Sequence, residues 1–113
     1  MAGDYNVAKN SVAKNGFVTY PDGKLVVANV WPGRCNFPDF TKPATRNWWA
    51  ENVKSLAAGG VVDLWNGMNE PASRGQILSN TIEFDFDGNK TTIKQAHNVY
   101  GMQMTKSTYD GAK

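Results

Sequence analysis

The residues best equipped for chemistry form one run, Trp65-Asn66-Gly67-Met68-Asn69-Glu70-Pro71, with Asp63 two positions ahead of it and Trp31 far upstream. Asp63 and Glu70 offer carboxylates, the groups that serve as general acids, general bases or nucleophiles. The tryptophans offer large, rigid aromatic faces. Such faces build hydrophobic cores and also form platforms for sugar rings. Four Trp, four Tyr and five Phe make up 12% of the chain, and the tryptophans fall inside motifs, so both uses of an aromatic face stay open.

Other chemistries find too few groups. Cys35 is the single cysteine, which excludes an internal disulfide framework and a cysteine-rich metal site. A single histidine, His97, cannot assemble a His-based zinc site and is expected to be structural, at the opening of a helix. Asp85, Asp87 and Asn89 have the spacing of a calcium loop, but Lys90 and Ala96 stand where such a loop needs Gly and Glu. Neither a metal nor a cofactor is expected. The net charge of +2 is scattered without any Lys/Arg run, so no nucleic-acid footprint is expected. No apolar stretch approaches the roughly 18 residues of a membrane span. Met-Ala-Gly-Asp-Tyr-Asn at the start lacks the pattern of a secretory leader. The Asn89-Lys90-Thr91 triplet would be a glycosylation acceptor only in a secreted chain, and the compartment is left open.

At 113 residues, with 41% hydrophobic and 19% charged residues, the chain has the composition of at most one small globular domain. Residues 1–16 are polar and read as irregular connection. Phe17–Tyr20 and Lys24–Val27 flank Pro21-Asp22-Gly23, which predicts a hairpin. Val30 to Phe40 carries Pro32, Gly33 and Pro38 and is expected to hold no regular structure; its Trp31, Phe37 and Phe40 need something to pack against or to bind. Thr41 as N-cap and Pro43 in the first turn open a helix. Its apolar positions are Trp48, Trp49, Val53, Leu56 and Ala57, and Gly59-Gly60 ends it. Helical spacing assigns Trp48 and Trp49 to packing. Val61–Trp65 is a short apolar run, predicted as a buried strand. Thr81–Phe86 and Lys90–Ile93 flank Asp87-Gly88-Asn89, a second hairpin, and a last helical stripe runs from Ala96 to about Tyr109, with Gly111 after it. A helix feeding a buried strand, then a polar loop and another helix, is one turn of a β/α architecture.

Three ordered segments resemble glycoside hydrolase family 31, the α-glucosidase and α-xylosidase family. Trp65 to Pro71 is similar to the family's nucleophile signature: Trp, any residue, Asp, Met, Asn, Glu and commonly Pro. Val30-Trp31-Pro32-Gly33 with Phe37-Pro38-Asp39-Phe40 resembles its upstream loop, and His97-Asn98-Val99-Tyr100-Gly101 resembles the start of its next helix. Arg46-Asn47-Trp48-Trp49 fits between them. The resemblance covers roughly residues 5–113.

It implies an α/β fold: residues 1–113 as an incomplete catalytic domain, about two β/α units plus hairpins of a (β/α)8 TIM barrel, whose active site lies at the C-terminal ends of the strands. It implies a retaining enzyme acting on an α-glucoside or oligosaccharide with two carboxyls, one attacking carbon 1 and one protonating the leaving oxygen. The nucleophile position falls on Gly67, which has no side chain to attack with, and the acid/base position falls downstream of Lys113. Glu70 is implied to support the site through hydrogen bonds, and Trp31, Trp65 and Met68 to line the sugar pocket. Strand alternation sets Asp63 roughly 6–7 Å deeper than Trp65, in the packed interior, where it cannot replace the missing carboxylate. The remainder of the barrel is expected to be needed for folding, since unpaired strand edges invite association.

Overall fold

In the computed structural model, which describes residues 6–13, 15–75 and 77–113, aromatic side chains from three parts of the sequence meet in one core. Phe40 lies edge-on to Trp49 at 5.3 Å and to Tyr100 at 5.4 Å, and Phe84 lies edge-on to Tyr100 at 5.9 Å. Such T-shaped pairs are favoured by the ring quadrupoles. Val18, Val26, Ile82, Ile93 and Ala96 fill the space around them.

The polar start is partly helical. Helix α1 spans Asn6–Ala13, where irregular connection is expected; residues 1–5 and 14 lie outside the described residues. Val7 and Ser11, one turn apart, supply the stripe that anchors it. Val7 lies along a groove with Trp49, Val53 and Leu56, and Ser11 is buried. A stripe this short carries little periodic signal.

The first hairpin forms where the turn chemistry sets it. Tyr20 N–H donates to the Lys24 carbonyl at 2.8 Å, Gly23 takes φ +82, and Thr19 bridges Leu25. Thr19 also bridges Glu83, which ties this hairpin to the later one.

Residues 30–36 depart from expectation. Strand β1 (Val27–Val30) pairs antiparallel with β2 (Gly33–Asn36), with Val30 opposite Gly33. Trp31-Pro32 is the two-residue turn. Pro32 falls where no ladder N–H is required, and Gly33 takes φ +106. The residues taken as breakers are the punctuation of a hairpin.

Helix α2 spans Pro43–Ala58 and stops at Gly59, as its pattern predicts. Its N-cap is Lys42, not Thr41. The Thr41 hydroxyl is engaged elsewhere, donating to Asp39 Oδ1 at 2.5 Å. Arg46 reaches back from the first turn to the carbonyls of Phe40 and Thr41, at 2.9 and 3.0 Å. Trp48 is buried and Trp49 half-buried against the core, so both serve packing.

The second hairpin is shorter than predicted: β3 (Glu83–Phe84) pairs with β4 (Thr91–Thr92). Helix α3 (Ile93–Ala112) follows at once and packs along α2. Gly111 lies within α3 and does not end it. A Cβ there would come 2.8 Å from Val53 Cβ, so this glycine permits close approach of the two helices.

Val61–Trp65 is the main correction. Residues 61–67 run without strand pairing, and Asp63 is exposed instead of interior. Val62 and Trp65 are each 90% exposed, a poor state for such residues. A strand needs a partner about 4.8 Å away in the sheet plane. The described residues supply none here, so the run keeps its apolar sequence but has no sheet to enter.

Candidate active site

The Asn66–Asn69 segment is held from one side by α3. Trp49 Nε1–H donates to Thr108 Oγ1 at 2.9 Å, and Thr108 Oγ1–H has the Asn66 side-chain oxygen at 3.0 Å and the Met104 carbonyl at 3.1 Å as acceptors. Two turns earlier on α3, Gly101 lies under Asn69: a Cβ on Gly101 would come 2.8 Å from the Asn69 carbonyl oxygen. Between these anchors sit Gly67 and Met68, both half-buried, with Met68 at φ +58. A positive φ at a methionine is uncommon and marks a sharp change of chain direction.

Gly67 keeps a backbone open to any L residue, because its φ lies outside the left-handed region. The indole of Trp65 folds over it. A Cβ at residue 67 would come 2.7 Å from Trp65 Cζ3 and 3.0 Å from Cζ2. Since Trp65 is almost wholly exposed, its ring is free to move aside. Glu70 is exposed and is followed by a cis peptide to Pro71, which is buried.

Trp31 sits at the tip of the β1–β2 turn, 74% exposed, with the Arg74 guanidinium 4.9 Å from its ring centroid. Arg74 N–H also donates to the Asn29 carbonyl at 2.6 Å. The hairpin tip is thus tied to the chain just past the Trp65–Pro71 run. Trp65 lies over Gly67, with Met68 next in the chain, and Trp31 lies against Arg74. A cleft of about 460 Å³ runs beside Pro71, Leu78, Ile93 and His97, and its lining includes none of Trp31, Trp65, Gly67 or Met68. His97 stands on the second turn of α3, exposed, with Nδ1 3.4 Å from Asn98 Oδ1; it neither opens the helix nor packs in the core.

One buried carboxylate carries a structural duty that sequence reasoning missed. Asp39 is 1% exposed and accepts from Thr41 N–H at 3.1 Å, Thr41 Oγ1–H, and Asp85 N–H at 2.8 Å. Thr41 Oγ1 in turn accepts from Phe86 N–H at 2.9 Å. This network fastens the Phe37–Phe40 motif to the β3–β4 loop, where Asp85 Oδ2 also accepts from Gly88 N–H. Burial, and secondarily the Asp39 charge, push the Tyr100 phenol well above its ordinary pKa. Asp39 lay inside a quoted motif, which was its signal. Thr108 and Arg74 had none.

The comparisons with known proteins point to one family. The model of the glycosyl hydrolases family 31 TIM-barrel domain matches residues 1–113. The chain belongs to glycoside hydrolase family 31. It is 34% identical over 112 residues to alpha-glucosidase 2 of Bacillus thermoamyloliquefaciens, an alignment that covers 97% of this chain and 14% of that protein. It is 37% identical over 73 residues to the lysosomal alpha-glucosidase of Mus musculus, covering 64% of this chain and 8% of that one. Among solved structures, the glucosidase II alpha subunit with alpha3-Glc2 bound superposes with a TM-score of 0.84 at 26% identity, over 98% of this chain and 12% of that chain. A family 31 dextranase of Flavobacterium johnsoniae complexed with glucose gives 0.76 at 25% identity, over 91% and 13%. The chain spans about 14% of the Bacillus relative's length, and its fold is that of an α/β fragment of a TIM-barrel-type domain.

Proposed function

We propose that residues 1–113 are part of the catalytic barrel of a retaining α-glucosidase-type glycoside hydrolase, acting on α-linked glucosides, and that this chain performs no hydrolysis as it stands. The observation that carries the reading is Gly67 in the nucleophile position of an otherwise intact Trp65–Pro71 signature on a half-buried, anchored loop. A retaining mechanism needs a carboxylate there to form the glycosyl-enzyme ester, and a second carboxyl to protonate the leaving oxygen. Gly67 removes the first of these. Exposed Asp63 has no positioned geometry, and Glu70 is assigned a supporting role in hydrogen bonding.

Trp31, Trp65 and Met68 are assigned to sugar contact. The exposed faces of Trp31 and Trp65 support this, since a pyranose presents an apolar C–H face to such rings. The exposed run Val61–Trp65 supports a further point: the rest of the barrel covers it, as a contiguous exposed apolar patch marks a surface meant for contact. The same exposed tryptophans favour a second reading, a carbohydrate-binding relative without catalysis. Isothermal calorimetry with maltose, run beside a nitrophenyl α-glucoside assay, separates the two. Neither binding nor turnover is expected from the isolated chain under the first reading. Saturable maltose binding without turnover would favour the second, and release of nitrophenol would refute both.

A further inference from the structure

We infer that Thr108 and Gly101, two turns apart on α3, are positioning residues that set the path of the Asn66–Asn69 segment and thereby where residue 67 stands. The inference rests on the proposed reading for its functional meaning, but its geometry is independent of any sugar.

The two anchors differ in kind. At Thr108 the anchor is polar. Its hydroxyl is buried, accepts the Trp49 indole N–H at 2.9 Å, and stands 3.0 Å from Asn66 Oδ1. A hydroxyl has one proton and two lone pairs, so it takes the indole N–H on a lone pair and shares its single proton between Asn66 Oδ1 and the Met104 carbonyl. At Gly101 the anchor is steric. The absent side chain lets the Asn69 backbone rest on the helix, where any Cβ would intrude to 2.8 Å. Seven residues of α-helix rise about 10 Å, so the two points are well separated. One fixes the segment before Gly67 and the other fixes it after Met68. Met68, with φ +58, makes the turn between them. A segment held at one point could pivot. Held at two, on a helix that packs along α2, it presents residue 67 in one place.

A merely structural role for Thr108 would register only as lost stability, so the test reads local spectroscopic signatures. In the ¹⁵N-labelled 113-residue chain, carried in place of the matching segment of the Bacillus alpha-glucosidase 2 where it needs that barrel to fold, Thr108→Val keeps the side-chain shape and removes the hydroxyl. It is expected to shift the Gly67 and Met68 amide resonances and the Asn66 side-chain amide, leaving the β1–β2 hairpin unmoved. Thr108→Ser restores the hydroxyl and is expected to return those resonances to their original places. Unmoved Gly67 and Met68 signals in a folded Thr108→Val chain would overturn the inference, as would equal shifts in the Thr108→Ser chain. If Thr108→Val does not fold, Asn66→Ala decides from the loop side of the same bond. The Trp49 indole N–H signal should then shift while that of Trp31 stays; an unmoved Trp49 signal overturns the inference. No sugar is present in any arm, so failure of the sugar-binding reading leaves these outcomes untouched.

Discussion

Placing an aspartate at the proposed nucleophile position by Gly67→Asp is expected to cost the fold almost nothing, whereas Gly101→Ala, a smaller change, is expected to cost more. At residue 67 the backbone φ lies outside the left-handed region, and the nearest obstruction is the tip of Trp65, a ring 90% exposed. Swinging that ring aside forfeits a few surface contacts, so the change should stay within about 0.5 kcal/mol. At residue 101 the obstruction is the Asn69 carbonyl, 2.8 Å from the new Cβ, and backbone cannot swing aside. Overpacking of that kind costs about 1–3 kcal/mol. Set against the middle of that range, about 2 kcal/mol, the roughly 1 kcal/mol returned by alanine's better helix propensity leaves a net loss of about 1 kcal/mol. For a domain of this size that is a fall in Tm of about 5 °C. Parallel urea and thermal melts followed by far-UV circular dichroism measure both variants. Tryptophan emission should also change in Gly67→Asp as the Trp65 ring leaves the backbone. A Gly67→Asp chain less stable than the Gly101→Ala chain would refute the reasoning, because it would mean the loop is no longer shaped to hold a side chain at 67.

Two further predictions follow from the buried network. Tyr100 has its pKa raised by burial, so the unfolded chain ionises near pH 10 while the folded chain holds the neutral phenol. Its stabilising effect is complete below pH 10 and falls by about 1.4 kcal/mol per pH unit above it. Tyr100→Phe keeps the ring contacts and should remove that part of the alkaline slope in urea melts at pH 9 to 11; identical slopes would contradict the assignment. Asp39→Ala strips the acceptor from the buried Thr41 and half-buried Asp85 N–H groups and should destabilise by about 2–4 kcal/mol, read as a lower urea midpoint. A midpoint shift under 0.5 kcal/mol would show that the hairpin loop does not depend on it.

Local chemistry was legible wherever it is written in adjacent residues. Pro21-Asp22-Gly23 and Asp87-Gly88-Asn89 set their turns, Pro43 and Gly59 bound α2, and Trp48 and Trp49 pack as helical spacing requires. Trp31-Pro32-Gly33 was misread because Pro and Gly serve equally as hairpin turn residues and as breakers; only the pairing of Val27–Val30 with Gly33–Asn36 tells which. Gly111 was misread for a similar reason, since a glycine near a helix end also permits helix contact. Val61–Trp65 has the composition of a buried strand, yet burial depends on partners that the described residues do not provide. The candidate site was legible as a motif. The hold on it was not: Thr108 is one threonine on a helical stripe, and its bonds to Asn66 and Trp49 join residues 42 and 59 positions apart.

The most direct test exchanges this chain for the matching segment of the Bacillus alpha-glucosidase 2, with and without Gly67→Asp, and measures hydrolysis of nitrophenyl α-glucoside. The chimera with Gly67 is expected to fold and be silent, while the chimera with Gly67→Asp is expected to be active by a margin on the order of 10⁵-fold, roughly 7 kcal/mol of transition-state stabilisation. Equal rates in the two folded chimeras, whether both active or both silent, would contradict the claim that residue 67 is the nucleophile position.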